Sequence, residues 1–366
     1  MPRLREPHGF ALPITLFVVA IVTLMLSALF IRVQSDRRIA DSSGDMVSAL
    51  AVAQSGLHTY LGTVSFDGCE RAIRPLDGDS VRINVQGGYT DVVAHVVQRP
   101  ADTLTPWMYI VRSTGHLITP TQGQDPQAVR TVAQFAHWSR NSLNVLAAFT
   151  AANGIRDDGF NGASGELKGV DQAPSGCTNP NVHALRVPNN RGPSSVPHTL
   201  NGLTPLVRDH HNREDTAEDT FIDWEGVITG DIVPDYTYVR FWDASYPVML
   251  LEGNAYIGCG PGTTTGYGLL IVTGNLEISG TDSWCFQWNG VIIAGGEIVW
   301  NAADQRVDGA VISGMNWQRG ESVAEGDQDG ALLDIDYDSR FVRLALKSLA
   351  GFAPVGNAWV DNWATY

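Results

Sequence analysis

The feature that most constrains this chain is an uninterrupted apolar run near its N-terminus, from Phe10 to Ile31. These 22 residues contain no charged side chain. A helix needs roughly 20 such residues to cross a bilayer, whereas the apolar part of a cleaved secretory signal has about 7–15 and precedes a small-residue cleavage site. The run is therefore too long for a secretory signal, and the sequence predicts a transmembrane helix over residues 10–31.

A short basic leader precedes this run. It carries Arg3 and Arg5 and ends in Gly9, after which Phe10 opens the apolar segment. The arrangement resembles the cleavage motif of type IV prepilins, in which a membrane aspartyl peptidase cuts after the glycine. The resemblance implies a leader of residues 1–9, cleavage between Gly9 and Phe10, and N-methylation of Phe10. An ordinary uncleaved signal anchor is the alternative.

One position departs from the major pilins, which carry a glutamate at the fifth residue after the cut. In that family the carboxylate pairs with the terminal amine of a neighbouring subunit, because an uncompensated charge in the membrane is costly. The residue at this position here is Ile14. Absence of the glutamate is typical of some minor pilins and of the large tip pseudopilin of type II secretion. The resemblance thus implies a minor subunit at or near a filament tip, the alternative being that Ile14 simply faces lipid.

Residues 32–62 continue the helix with a different pattern, which predicts an amphipathic stalk whose apolar stripe packs against an exported head. Gly44 lies in a Ser-Ser-Gly-Asp segment, where we expect the helix to loosen or kink. The segment AVAQSGLHTYL also resembles the helix end of PilX-like minor pilins. The apolar positions at helical spacing are Ile39, Met46, Leu50, Ala53, Leu57 and Leu61.

The next two regions differ in regularity. Residues 63–149 contain short runs of alternating apolar and polar residues separated by turn residues, which predicts an antiparallel sheet similar to that of pilins. Residues 150–246 are rich in Gly, Asn, Asp, Pro and Ser, so we expect a long, ordered loop region with short elements there. His210 and His211 lie in this region beside acidic residues, and we interpret them as solvated rather than as metal ligands.

An internal repeat occupies residues 247–320. The segments VMLLEGNAYIG, LLIVTGNLEISG, VIIAGGEIVW and AVISGMNW each combine an apolar run with a glycine step. One such unit cannot bury its own apolar face, but stacked units can, so the repeat predicts successive coils of a β-solenoid. A β-meander sandwich is the alternative. PilX-like minor pilins with large heads resemble this chain in their own C-terminal repeats. The aligned glycines are Gly253, Gly274, Gly295 and Gly314.

The cysteines Cys69, Cys177, Cys259 and Cys285 lie far apart and form no CxxC pair. Four cysteines allow three complete pairings, and the sequence alone does not choose among them. Cys259 and Cys285 fall on adjoining coils of the predicted repeat, so a disulfide between them is the preferred prediction. Cys69 and Cys177 are the other disulfide candidates if the head is exported.

Residues 321–366 predict an acidic strand, a short helix and a C-terminal tail. Asp327, Asp329 and Asp336 are weak candidates for calcium ligands, because their spacing partly follows an EF-hand loop. Both end positions of that loop deviate, so a solvated acidic loop is the default interpretation and no cofactor is predicted. The aspartates that alternate on one face of an expected edge strand are Asp334, Asp336 and Asp338.

Composition and motifs bound the function. The formal net charge is −15, which argues against non-specific binding of nucleic acid, since phosphate contacts need clustered Lys and Arg. This net charge does not exclude a small local basic patch. The sequence contains no P-loop, GxGxxG, GxSxG or HExxH motif. We therefore expect a protein without catalytic activity.

These features predict an α+β, mainly β fold with a long N-terminal transmembrane and stalk helix, a β-sheet pilin-like region and a C-terminal β-solenoid-like repeat domain. The resemblance implies a minor pilin of a type IV pilus or pilus-like filament. Its implied partners are prepilin peptidase, major and other minor pilins along the N-terminal helix, and the inner-membrane assembly platform. The precursor would cross the inner membrane once with an exported head, and the mature form would stand in a pilus or a periplasmic or extracellular filament. The alternatives are a type II secretion pseudopilin, or an adhesin or DNA-uptake receptor subunit.

Overall fold

The computed structural model describes residues 11–100, 106–118, 125–156, 165–189, 199–203, 206–208, 212–259, 264–281, 285–328 and 332–361. Helix α1, Ala11–Leu61, contains 51 residues, which gives a length of about 76 Å at 1.5 Å per residue. A mainly β domain follows it, so the prediction of a long apolar N-terminal helix before a β-rich domain is confirmed. The helix does not break at Gly44, where loosening or a kink was expected: it is continuous there, and Ser48 Oγ donates to the Gly44 carbonyl at 3.0 Å.

The β domain contains 19 strands among the described residues. In chain order they are β1 Asp79–Val85, β2 Gly88–Gln98, β3 Trp107–Leu117, β4 Ala128–Ser139, β5 Ala147–Ala151, β6 Glu166–Lys168, β7 His183–Val187, β8 Thr199–Asn201, β9 Leu206–Arg208, β10 Val248–Leu251, β11 Ala255–Gly258, β12 Thr264–Val272, β13 Leu276–Gly280, β14 Phe286–Ala294, β15 Ile298–Ala302, β16 Asp304–Ser313, β17 Asp327–Gln328, β18 Leu332–Tyr337 and β19 Gly351–Asp361. The shorter helices are α2 Arg213–Glu218, α3 Trp224–Thr229 and α4 Ser339–Ala345, with 3₁₀ turns at Met315–Arg319 and Lys347–Leu349.

The first sheet is antiparallel and has the order β1-β2-β3-β4-β19. Its inward side chains, among them Val92, Tyr109 and Val111, pack on Leu57 of α1 and form the smaller of two hydrophobic cores. The alternating burial along β3 follows from the two-residue period of a strand. The fifth strand comes from the segment that the sequence predicted as a C-terminal tail, because β19 pairs with β4.

The remaining strands form two parallel sheets, and the chain alternates between them. One sheet has the order β10-β12-β14-β16-β18-β6-β8, with β5, β7 and β9 joined beside it. The other has the order β11-β13-β15-β17. Each circuit of the chain from 248 to 337 therefore adds one strand to each sheet, and we call this assembly the parallel stack. Its interior is the larger core and includes Trp288 and Trp300.

Glycines occupy positions where neighbouring rungs of the parallel stack approach closely. At the turns, the Gly274 amide donates to the Gly253 carbonyl at 2.8 Å, the Gly296 amide to the Gly274 carbonyl at 2.8 Å and the Gly314 amide to the Gly296 carbonyl at 2.9 Å. The column of turn glycines therefore continues through Gly296 and not through the predicted Gly295. A second column, unused in the sequence prediction, consists of Gly268, Gly290 and Gly309, which lie in register on β12, β14 and β16. Their φ angles are 99°, 145° and 145°. A Cβ at Gly290 would collide with the Gly268 carbonyl, so the position requires glycine.

The region 150–246, predicted to be loop-rich with short elements, contains short strands in its first half. Strand β5 pairs side by side with the C-terminal half of β16, with Phe149 opposite Val311, and β6 pairs side by side with β18, with Leu167 opposite Ile335. Strands β5–β9 thus extend the parallel stack. They contain only three to five residues each, and strands buried on both faces lack the alternation by which strands are recognised in a sequence.

The prediction that the alternating aspartates lie on an edge strand is also wrong. Strand β18 lies between β16 and β6, and Asp336 is 5% exposed. Its two carboxylate oxygens lie 3.1 Å from Lys168 Nζ and 3.2 Å from Arg306 Nη2. Asp338 caps α4 by accepting from the Arg340 amide at 2.8 Å. Acidic residues are tolerated inside the sheet because neighbouring strands supply cations and a helix end supplies donors.

Candidate functional site

The N-terminal part of α1 is the most exposed apolar surface among the described residues. Every side chain from residue 14 to residue 44 is exposed. Phe17 and Leu24 are 67% and 71% exposed, although such residues are normally buried. The helix is long and apolar enough to cross a membrane. A continuous apolar surface of this kind marks contact with lipid or with another protein.

A band of charged residues ends the apolar segment. Arg32, Asp36, Arg37, Arg38 and Asp41 all lie on exposed positions of α1. The 22 residues before this band span about 33 Å as a helix, which matches the roughly 30 Å of a hydrocarbon core. Long arginine side chains are stable at such a boundary, because their stems lie in the apolar layer while the guanidinium groups reach water.

The C-terminal part of α1 lies directly on the antiparallel sheet. Gly115 of β3 faces the helix so closely that a Cβ there would collide with the backbone of Ala49 and Ala53. On the helix side, a Cβ at Gly56 would collide with the side chain of Thr90 on β2. Two glycines, one from each partner, therefore allow backbone-to-backbone packing, in the way that small residues allow helices to approach one another.

A buried chain of hydroxyl groups fixes the position of α1 on the sheet. Ser113 Oγ donates to the Ala53 carbonyl at 2.7 Å, and Thr90 Oγ1 lies 2.6 Å from Ser113 Oγ. Both hydroxyl-bearing residues are fully buried, so their hydrogen bonds must be kept. Gln127 Nε2 adds a bond of 2.7 Å to Asp45 at the edge of the interface. These contacts set the direction in which the exposed part of α1 leaves the head.

The predicted processing residues lie outside the described part of the chain. This holds for Gly9 and Phe10, and also for Asp329 and the histidines His210 and His211. Ile14 is the first residue whose side chain is described, and it is 56% exposed. It therefore belongs to the exposed apolar surface of α1.

The two calcium candidates that the structure describes, Asp327 and Asp336, lie on different sheets of the parallel stack. Asp327 lies on β17 and pairs with Arg156 at 2.9 Å, whereas Asp336 lies on β18 between Lys168 and Arg306. Burial raises the pKa of Asp336, and the two cations partly oppose that shift. Within the described ranges, no group of three or more His, Cys, Asp or Glu side chains could hold a metal ion.

Two disulfides join distant parts of the head. Cys259 is bonded to Cys285, next to the end of β13, where Gly280 leaves room for both cysteines. Cys69 is bonded to Cys177, which links the segment after α1 to the segment before β7. Since β7 belongs to the parallel stack, the second disulfide ties the stack to the end of the stalk helix.

A buried arginine reinforces this junction. Arg343 of α4 is 4% exposed and donates to the carbonyls of Cys69 and Cys177 at 2.8 and 2.9 Å. Burial lowers its pKa, and the hydrogen bonds compensate for the lost hydration. No sequence pattern indicates this role, because the arginine and its acceptors are up to 274 residues apart.

Comparison with known proteins adds no relative. No protein family, no curated protein and no solved structure matches this chain. Its function is therefore inferred from α1, from the contact between α1 and the sheet, and from the surface of the head.

Proposed function

We propose that this protein is a minor subunit of a type IV pilus or a pilus-like filament. The observation that carries the proposal is the division of α1 into an exposed apolar part and a part docked on an antiparallel sheet. Such a helix can anchor the precursor in a bilayer and later pack against the helices of neighbouring subunits. The head then remains outside the filament core.

The exposed part of α1 suits both the lipid bilayer and the helical core of a filament, because it carries no charge before Arg32. Its surface is mainly apolar and carries no charge up to Ile31, and its charges begin at Arg32. Transfer from lipid to a helical filament core therefore leaves no charge uncompensated. Ile14 supplies no carboxylate for a neighbour's terminal amine, so we place this subunit at or near the tip, where it needs fewer neighbours.

The head is proposed as the presented part of the subunit. We interpret the parallel stack as a β-solenoid, supported by its in-register rungs and by a chain path that alternates between two sheets. The disulfides at Cys69–Cys177 and Cys259–Cys285 fit an exported location, where such bonds persist. Prepilin peptidase, other pilins and the inner-membrane assembly platform remain the proposed partners.

A pseudopilin at the tip of a type II secretion filament is the second candidate, and Ile14 is the observation that favours it. Deletion of the protein distinguishes the two. Loss or shortening of surface pili supports the pilus assignment, and accumulation of secreted enzymes in the periplasm supports the secretion assignment. Normal pili that fail to bind a surface or DNA would instead indicate an adhesin or uptake receptor.

Mass spectrometry of the mature N-terminus tests the proposal. We expect a product that begins at N-methylated Phe10 and forms only when prepilin peptidase is present. Gly9→Leu should abolish this product, because a side chain at the cut site blocks close approach of the extended backbone. Ile14→Leu is the matched control and should be processed normally. An intact Met1 terminus that is indifferent to the peptidase would overturn the proposal.

A further inference from the structure

An aromatic segment crosses the first rung of the parallel stack. Tyr236 forms a bridge with Met249 of β10, and Phe241 forms one with Gly266 of β12. The Leu250 amide donates to the Tyr236 carbonyl at 3.0 Å, and the Trp242 amide donates to the Thr265 carbonyl at 2.9 Å. The segment is thus fixed to the stack by its backbone. We call the rings of Tyr236, Tyr238, Trp242 and Tyr246 the aromatic rim.

The aromatic rim exposes side chains that proteins usually bury. Trp242 is 66% exposed and Tyr238 is 56% exposed. A single exposed apolar residue needs no explanation. Tyr236 and Tyr238 lie with ring centroids 5.4 Å apart. Trp242 is next to Asp243, which accepts a hydrogen bond of 3.3 Å from the Tyr236 hydroxyl. Aromatic rings at a wet surface commonly contact a ligand through the face and a polar group through the edge.

The backbone of the aromatic rim is held in an unfavourable conformation. Trp242 has φ 65° and Tyr246 has φ 60°. Bulky residues rarely adopt positive φ, and glycine would occupy these positions with less strain. Strain of this kind persists where the side chain has a use that outweighs its cost to folding. Since Trp242 contributes little to the core, its use lies at the surface.

Polar groups are fixed beside the rings. Arg240 Nη1 donates to the Tyr236 hydroxyl at 2.6 Å, and the Arg240 guanidinium lies 4.8 Å from the centre of the same ring. Ser245 Oγ donates to Asp243 at 2.6 Å, and this bond lowers the pKa of the Asp243 carboxyl. The rim is therefore a preorganised surface in which rings and hydrogen-bonding groups alternate.

A groove adjoins the aromatic rim. Its volume is about 300 Å³, and its lining includes Asp235, Tyr236, Ser245, Tyr246 and Lys347. This volume is at the lower end of the roughly 300–1,000 Å³ of ligand sites. The Tyr246 hydroxyl is a hydrogen-bond donor at neutral pH, as tyrosine hydroxyl groups ordinarily are, and burial raises its pKa further, to about 12. The groove thus offers acceptors, donors and aromatic faces within one small space.

We propose that the aromatic rim and its groove bind carbohydrate. The apolar face of a sugar ring would stack on Trp242 or Tyr238, and sugar hydroxyl groups would bond to Asp235, Ser245 and Lys347. A proline-rich peptide is the other ligand class that aromatic grooves accept. It offers few donors, so the carboxylate of Asp235 would keep its bond of 2.8 Å from the Val248 amide but would exchange its water for no further donor. A polyhydroxylated ligand satisfies both the donors and the acceptors of the groove.

This inference concerns the head and does not depend on the proposed assembly of α1 into a filament. Full-length protein in detergent micelles tests it directly. The probes are a printed array of microbial and host glycans and, as the competing class, a decaproline peptide. The variants are Trp242→Gly and Tyr238→Ala. Tyr256→Ala is the matched control, because Tyr256 is 66% exposed on β11, which belongs to the other sheet of the parallel stack.

The expected result is binding of one or more glycan classes that falls at least tenfold in Trp242→Gly and in Tyr238→Ala and is unchanged in Tyr256→Ala. The melting temperature of Trp242→Gly should equal or exceed that of the wild type, because glycine relieves the positive φ. That combination separates a ligand-binding role from a structural one. Glycan binding that persists in both rim variants, binding of decaproline alone, or no binding at all would overturn the proposal.

Discussion

The antiparallel sheet and the parallel stack bury their apolar side chains in different ways. The sheet covers its inner face with α1, so residues such as Ala53 and Leu57 of the helix complete its core. The stack encloses its core between its own two sheets, and no residue of α1 belongs to that core. The hydrophobic core of the sheet therefore depends on the stalk helix, whereas the core of the stack does not. A change in the stalk should therefore affect the two halves unequally.

The largest expected effect comes from breaking the stack at its glycine column. Gly290→Val places a branched side chain at a positive φ and against the Gly268 carbonyl. We expect a loss of about 4 kcal/mol or more in the free energy of unfolding of the stack, since exceptional losses follow strain combined with overpacking. Urea unfolding followed by tryptophan fluorescence measures it.

Gly253→Ala is the matched control for this change. Gly253 also has a positive φ, of 77°, but a Cβ there meets nothing within 4 Å. The expected cost is about 1 kcal/mol, from the backbone conformation alone. Equal losses in the two variants would show that close packing of the rungs is not what requires glycine at position 290.

A smaller effect is expected where the sheet depends on α1. Leu57 is 1% exposed in the core between the helix and the sheet. Leu57→Ala should cost about 3 kcal/mol and should lower the unfolding midpoint of the sheet while leaving that of the stack in place. Hydrogen exchange resolved by peptide measures the two halves separately. Leu24→Ala, in the exposed part of α1, should change neither, and a parallel loss in both halves would contradict the division.

The smallest expected effect is a pH dependence of the free energy of unfolding of the stack. Tyr337 of β18 is 4% exposed, and burial raises its pKa from 10.0 to about 12. The folded state therefore keeps the proton longer than the unfolded state does, so this stabilising contribution is complete below pH 10 and is lost as the pH rises towards 12. Between pH 8 and pH 11 the wild type should lose about 1.4 kcal/mol more than Tyr337→Phe does. Urea titrations at the two pH values check this, and equal losses would exclude a buried hydroxyl.

The sequence predicted the parts whose signals are local. The apolar helix follows from uncharged residues in one continuous run, and the alternation of β3 follows from the period of a strand. It missed the parts that arise from pairing over long distances. The sequence predicted a tail where β19 lies, because the partner strand β4 is far away in the chain. It predicted Asp336 on an exposed edge strand, because the cations Lys168 and Arg306 come from other strands.

The same limit applies to the candidate site. The exposed part of α1 was predicted from composition alone. The packing of the C-terminal part of α1 on the sheet depends on Gly56, Thr90 and Ser113, which only the fold brings together. Trp242 gives no sequence signal either, because a positive φ at tryptophan is imposed by the surrounding structure. Local sequence patterns thus predict secondary-structure elements, and tertiary contacts decide which side chains of those elements are exposed.

The pairing of β4 with β19 determines when the head can be completed. Arg130 of β4 pairs with Asp361 of β19 across 231 residues. If the chain crosses the membrane from its N-terminus, the edge of β4 remains unpaired in the exported compartment until β19, Gly351–Asp361, has emerged. An open strand edge invites pairing with other chains, and closure over such a distance is slow. In that case translocation and folding would have to be coordinated, and a chain truncated before residue 351 would keep its first sheet open.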